Sequence, residues 1–327
     1  KVVNYQQVYQ MNGQLKKRKQ TTRHILMVRP ANFGFNPETA ESNAFQRNDQ
    51  SMAVAEIKAQ AITEFDAFVR TLRSNGIDVI VAEDSPDPIK MDAVFPNNWV
   101  TFHANGTAIT YPMQALARRF ERDQKILDLV GQRFDIQAIF NLESYEDEGK
   151  YLEGTGSMIM DRENQIVYAC TSPRTHPELL DKFCKLTQSR KAVFRAVDRN
   201  GQDIYHTNVM MALGETFVVI CLATIRDNRE LDRLRRLFLE TEKEIIDISL
   251  EQMEAFAGNM LQVRNAQNET VLVMSEQAYR SLNPQQIRQI ERHTHILSSP
   301  IDTIETYGGG SARCMMAEIF LPEKRGE

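Results

Sequence analysis

From Ile25 onward the chain switches repeatedly between strand-like and helix-like apolar spacing, and the switching keeps a fixed order. HILMVRP reads as a buried strand ended by Pro30, and a long loop, ANFGFNPETAESNAFQRND, follows. Met52 to Leu72 carries apolar residues at helical spacing, and Asn75-Gly76 stops it before the strand IDVIVAE. An acidic loop ending at Asp92, the run VFPNNWVTFH, an Asn105-Gly106 turn and the return strand TAITYP complete a hairpin. Helix, strand, loop and hairpin then recur. Helices are predicted over Met113 to Val130, Pro177 to Leu186, Arg229 to Leu239 and Pro284 to Arg292. Hairpins turn at Asp161 to Asn164 and at Gly214-Glu215, and the last segment, CMMAEIFLP, can pair with the first strand.

The strands after the helices begin near Ile77, Phe134, Lys191, Glu244 and His295, giving steps of about 57, 57, 53 and 51 residues. One such unit cannot bury both faces of its strands, so the units are expected to close around a common axis. The fold class predicted is α/β, a five-bladed ring of helix, strand and hairpin modules. Residues 1–22 are set apart as a polar tail with a basic run from Lys16 to Lys19, leaving a single domain over 23–327.

Composition narrows the function classes. Of 327 residues, 42% are hydrophobic and 25% charged, which fits a globular protein and not a disordered or fibrous one. A net charge of -5 argues against nucleic acid as a partner. No apolar run reaches the ~18 residues of a spanning helix, so no membrane is expected. Four cysteines, Cys170, Cys184, Cys221 and Cys314, show no CxxC pair, which points to a reducing, cytoplasmic setting. No phosphate-binding glycine loop and no zinc spacing appear, so neither cofactor nor metal is expected. The partner expected is a small-molecule substrate, and the reading leaves room for a homo-oligomer.

Candidate chemistry lies in the loops. Cys314 follows Tyr307-Gly-Gly-Gly-Ser-Ala-Arg, which lets backbone approach a ligand and puts the thiol at a strand start beside Arg313. The other three cysteines sit in apolar runs and read as packing residues. His206 in IYHTNVM, Glu153 in YLEGTG, and Asp92 with Asn97 and Asn98 occupy the corresponding junctions of three units. A thiol, an imidazole and a carboxylate form a set for covalent catalysis with a proton shuttle.

The segments MVRPANFGFNPETAESNAFQ, DAVFPNNW, YLEGTG, YHTN and GGGSARC, in that order, resemble the guanidine-modifying enzymes, or pentein superfamily, and most closely its bacterial citrulline-utilisation hydrolases. The resemblance implies a five-bladed α/β propeller with Cys314 as nucleophile on a guanidino or ureido carbon, His206 as proton shuttle and Glu153 orienting it. It further implies that Asp92 and Phe95 line the substrate slot, and that Arg118 and Arg174 stand near the substrate as holders of an amino acid carboxylate. Two positions depart from the family pattern, with Asn98 and Asn208 where Asp is usual. Neutral amides suit a neutral ureido group, so a hydrolase of linear C–N bonds acting on citrulline is favoured, with arginine-type substrates also open. An amidinotransferase is the second reading and a non-catalytic binding protein the third.

Overall fold

The computed structural model describes residues 2, 18–48 and 51–324. Most of the predicted tail, including Lys16 and Lys17, lies outside them. Packing nevertheless starts before residue 23, because Gln20 and Thr21 are buried, with Gln20 Nε2 donating to Met160 O and Gln20 Oε1 accepting from Arg162 N.

Five three-stranded sheets share one plan, an antiparallel pair, a hairpin in four of them, whose inner strand is extended by a parallel strand. β1 (His24–Arg29) runs parallel to β2 (Asp78–Glu83), and helix α1 (Val54–Ser74) makes the crossover. β3 (Val100–Phe102), β4 (Thr107–Thr110) and β5 (Ala138–Asn141) form the next sheet, crossed by α2 (Gln124–Arg133). β6 (Ile159–Asp161), β7 (Ile166–Cys170) and β8 (Arg190–Phe194) follow with α3 (Pro177–Thr187). β9 (Met211–Leu213), β10 (Phe217–Ile220) and β11 (Glu244–Asp247) use α4 (Asn228–Glu240). β12 (Leu261–Arg264), β13 (Thr270–Ser275) and β14 (His295–Ser299) use α5 (Pro284–Glu291). The last strand, β15 (Ala317–Glu318), pairs antiparallel with β1, as the sequence predicts.

Local chemistry explains these elements. α1 turns Ile57, Ala61, Phe65, Phe68 and Leu72 to one side, and all are buried. Removing the Phe65 and Phe68 rings from water contributes roughly 2 kcal/mol each. Asp227 and Asn283 cap α4 and α5 with side-chain oxygens, and Pro177 opens α3, where its missing N–H costs nothing. Gly106 has φ +79°, and a Cβ there would meet the Gln137 side chain at 2.8 Å, so the Asn105-Gly106 turn needs its glycine.

Two predicted elements shift. The helix expected from Met113 breaks into a 3₁₀ turn, Ala117–Glu121, and α2, because Asp123 caps a new start through Lys125 N. The strand expected from Phe134 begins at Ala138, since Asp135 N donates to Pro322 O instead of to the sheet. Before β3, β6 and β9 the chain makes a short helical turn: Pro96–Asn98, Gly154–Ser157 and Thr207–Met210. Among the described residues no helix is long and apolar enough to cross a membrane.

Candidate active site

These junction turns converge. Asp92, Phe95, Asn98, Arg118, Arg174, His206 and Cys314 line one cavity of about 280 Å3, together with Thr39, Asn43, Tyr205 and Gly308 to Gly310. Glu153 stands behind His206, fully buried, and Asn208 stands behind the sulfur. Asn97 is turned away to Thr155, with its Nδ2 3.2 Å from Oγ1. It is the one predicted site residue that meets neither the cavity nor the groups lining it.

The His206–Glu153 pair is tight. His206 Nε2 lies 2.8 Å from Glu153 Oε2, and Glu153 Oε1 accepts from Gln114 N at 2.9 Å. Nδ1 is therefore the ring nitrogen left for a substrate. Burial lowers His206 to about 4 in spite of Glu153, so the ring is neutral at pH 7. Burial alone raises a carboxyl, yet the charges of Arg174, His206 and Arg118 hold Glu153 well below the usual carboxylate range. Gly156 makes the contact possible, because a Cβ there would meet the His206 ring at 2.8 Å.

Cys314 is 4% exposed and sits in the tight turn after the helix Asp302–Gly308, its N–H donating to Ser311 O at 2.9 Å. The turn, not the strand start predicted from the sequence, holds the thiol, and β15 begins three residues later. Arg313 also differs from expectation, because its guanidinium leaves the sulfur and donates to Met316 O and Glu318 Oε2. Two neutral amides serve the sulfur instead: Asn208 Nδ2 and Asn259 Nδ2 each lie 3.3 Å from Sγ. Both donate, the arrangement a thiolate accepts. Asn259 also accepts from Arg313 N at 3.1 Å and donates to Asn208 O at 2.8 Å, so its amide orientation is set from both ends. Burial raises the other three cysteines to about 11 or 12, in keeping with packing residues.

The arginines are spent inside the protein. Arg118 Nε and Nη2 grip both oxygens of Glu121 at 2.8 and 2.9 Å, and Nη1 donates to Asn98 Oδ1 at 2.8 Å. Its neighbour Arg119 instead turns to Glu146 and Met113 O. Arg174 donates to Ser42 Oγ and Thr39 O, reaches Glu153 at 3.5 Å, and lies over the Tyr205 ring. The two-pronged contact expected for a substrate carboxylate is thus made to Glu121, while Arg174 ties the loop Asn32 to Asn43 over the cavity. Asn36 in that loop donates to Asp92 Oδ2 at 2.7 Å, and Asn43 Nδ2 to Gly309 O at 3.1 Å.

Three buried polar atoms at or beside the cavity lack a partner among the described residues, Asp92 Oδ1, Asn98 Nδ2 and Asn208 Oδ1, as does Asn97 Oδ1 away from it. Burial raises Asp92 from its ordinary value, against the pull of Arg118. Sequence reasoning missed Glu121, Ser42, Gln114 and Asn259. The repeat could have given Asn259, which ends the fourth junction, AFAGN, two residues before its hairpin strand, as Asn98 does in the first. Glu121 had only its spacing of three from Arg118 to mark it.

A family model described as N,N dimethylarginine dimethylhydrolase, eukaryotic, matches residues 29–321. No curated protein matches the chain. Among solved structures, ArgZ, an arginine dihydrolase from the ornithine-ammonia cycle in cyanobacteria, superposes with a TM-score of 0.71 at 15% identity over 91% of this chain. The chain spans only 41% of that protein's length. The N-terminal domain of ArgZ, a cysteine-to-serine mutant bound to substrate, is covered to 98% at 14% identity, 91% of this chain and a TM-score of 0.70. A dimethylarginine dimethylaminohydrolase variant, solved as an adduct with S-methyl-L-thiocitrulline, is covered completely at 17% identity over 91% of this chain, with a TM-score of 0.60.

Proposed function

The chain belongs to the N,N dimethylarginine dimethylhydrolase family of the guanidine-modifying superfamily, and from that premise we propose that it hydrolyses a guanidino C–N bond of an arginine-type amino acid through a covalent intermediate on Cys314. The five sheets are read as blades of a closed propeller in one domain, to which the buried Gln20 and Thr21 also belong, with the junction turns meeting at its centre.

One observation carries the reading: the cavity that holds Cys314 and His206 also holds a buried carboxylate, Asp92, whose Oδ1 has no partner. Pairing Arg118 with Glu121 leaves Asp92 and Glu153 facing Arg174, so with His206 neutral the site is short of one positive charge. A guanidinium supplies that charge and gives Asp92 the N–H donor it lacks. This argument replaces the preference for citrulline drawn from Asn98 and Asn208. Those amides answer to Arg118 and to the sulfur, and the anionic partner comes from Asp92.

In the chemical step Cys314 gives its thiol proton to His206 Nδ1, and Sγ bonds to the guanidino carbon while the bond to a terminal nitrogen breaks. That nitrogen leaves as ammonia, or as an alkylamine from an N-alkylated arginine, with a proton delivered through His206 Nδ1. Water then adds to the carbon, gives its proton to His206, and the C–S bond breaks to release the ureido product. Glu153 keeps the imidazole in one orientation and stabilises its protonated form.

A second reading takes the ureido product through a further hydrolysis, and the neutral Asn98 and its unpartnered Nδ2, a donor for a ureido oxygen, favour it. Incubation with arginine, dimethylarginine and citrulline, followed by ammonia, dimethylamine, citrulline and ornithine, separates these. Arginine or dimethylarginine turnover supports the main reading, and ornithine formation adds the second. Consumption of arginine only when an acceptor amine is added points to an amidinotransferase, and binding without turnover of any of the three to a non-catalytic protein.

A further inference from the structure

Arg162 follows Asp161 in the turn of the β6–β7 hairpin, at the end remote from the junction that carries Glu153. Its side chain is 9% exposed, yet among the described residues the guanidinium makes no hydrogen bond; only its backbone N–H is used. The nearest carboxylate oxygen, on Glu318, is 3.9 Å from Nε, and Glu318 is already held by Arg313 at 2.8 Å. One face of the guanidinium lies 4.0 Å over the Phe320 ring, which leaves its edge N–H groups open. None of the guanidinium nitrogens is a fully buried atom without a partner, so its five N–H donors stay within reach of solvent or a ligand.

Arg162 lines a small, partly open pocket between the far ends of the β3–β4 and β6–β7 hairpins. Arg18 and Lys19 share its rim, and Ile166, Val167, Phe183 and Phe320 make apolar walls. Neither Arg18 nor Lys19 has an ion-pair partner among the described residues, and residues 1–17 contain no Asp or Glu to supply one. The lining carboxylate, Asp161, is engaged by Asn164 through both oxygens, with Lys243 at 3.8 Å. His103 cannot compensate, since burial, then the charges of Arg162 and Arg18, keep it neutral. Burial lowers Arg162 and Arg18 too, Arg162 adding to the effect on Arg18, as expected for cations gathered without an anion.

The geometry points to a second ligand site here, for a small organic carboxylate with an apolar body. The carboxylate takes the two-pronged edge of Arg162, with Arg18 and Lys19 beside it, and the body packs on Phe183 and Val167. The active-site cavity differs in kind, because its arginines already hold protein acceptors.

Calorimetric titration with phenylacetate, with phenylacetamide as its uncharged counterpart and inorganic phosphate as a bare anion, tests the assignment. Phenylacetate is expected to bind, to shift the backbone amide resonances of Asn105, Gly106 and Asn164, and to lose about tenfold or more in affinity in Arg162→Met. Phenylacetamide and phosphate should each bind at least tenfold more weakly, the first for want of charge and the second for want of an apolar body. An Arg18→Gln, Lys19→Gln double variant, altering only the rim, should weaken binding and flatten its salt dependence, and serves if Arg162→Met does not fold. Absence of phenylacetate binding, or equal binding in both variants, overturns the proposal. Phosphate binding as tightly as phenylacetate overturns the apolar part of it. The readout is binding without turnover, so it stands apart from the outcome for Cys314.

Discussion

His206 has one nitrogen committed to Glu153 and one free, and burial keeps it neutral down to about pH 4. A free imidazole changes charge near 6.5, so the acid limb of kcat/KM for an arginine-type substrate separates the two cases. With folded His206 titrating near 4, the free enzyme holds the basic form throughout pH 5 to 7, and no His206 break is expected in that interval. A pH–rate profile that bends near 6.5 and loses the bend in His206→Gln would contradict this. The sequence made Cys314, His206 and Glu153 legible because each stands at the same place in a repeat and has distinctive chemistry. It could not show what the arginines do. A guanidinium beside a cavity looks the same in sequence whether its fork meets substrate or Glu121, and only packing decides.

At the scale of the element, the glycine run is a spacer between Phe95 and the Cys314 turn. A Cβ on Gly310 would lie 2.9 Å from the Phe95 ring, and one on Gly308 2.8 Å from it. Tyr205 Oη and Asn43 Nδ2 both donate to Gly309 O, so the segment is gripped from the opposite side and cannot back away. Gly310→Ala is therefore expected to cost roughly 1–3 kcal/mol through overpacking and to slow alkylation of Cys314 by iodoacetamide. Denaturant unfolding and a timed labelling experiment check both parts, and unchanged labelling would show that the turn does not depend on this spacing. The periodic pattern located the helices α1, α3, α4 and α5 within about two residues, since each pairs an apolar stripe with an end signal, a capping side chain or proline at the start of α3, α4 and α5 and Asn75-Gly76 at the end of α1. It failed at α2, where Asp123 starts the helix late and Arg118 belongs to a separate 3₁₀ turn. Local apolar spacing does not reveal that an arginine in its path is claimed by a buried glutamate.

At the scale of the whole molecule, the first and last strands meet. β15 places Ala317 opposite Leu26 and Glu318 opposite Ile25, Ile319 N donates to His24 O at 2.8 Å, and Ile319 and Leu321 are buried. Ending the chain after Met316 removes this pairing and exposes the β1 edge. Burial of the two large side chains alone is worth about 3–5 kcal/mol, so a marked fall in melting temperature is expected. Unaltered melting would mean that the β1–β2 sheet does not depend on the C-terminal strand. The equal steps between units foretold the five sheets, because a period of that length fixes which strand follows which helix. The resemblance placed the Asp92 carboxylate in the slot, but its idle oxygen depends on neighbours from distant parts of the chain, Asn36, Thr39 and Arg118.

The central claim is a covalent intermediate on Cys314 derived from an arginine-type substrate. Acid-quenched intact-protein and peptide mass spectrometry after mixing with arginine, or with an N-methylated arginine, reads it directly, and slowing water attack with His206→Gln lengthens its life. The account predicts the same added mass from both substrates, arginine less ammonia, because the nitrogen that differs between them has left, and it predicts that mass on the peptide bearing Cys314. No adduct from either substrate under conditions of turnover, or an adduct on Cys170, Cys184 or Cys221 instead, would contradict it.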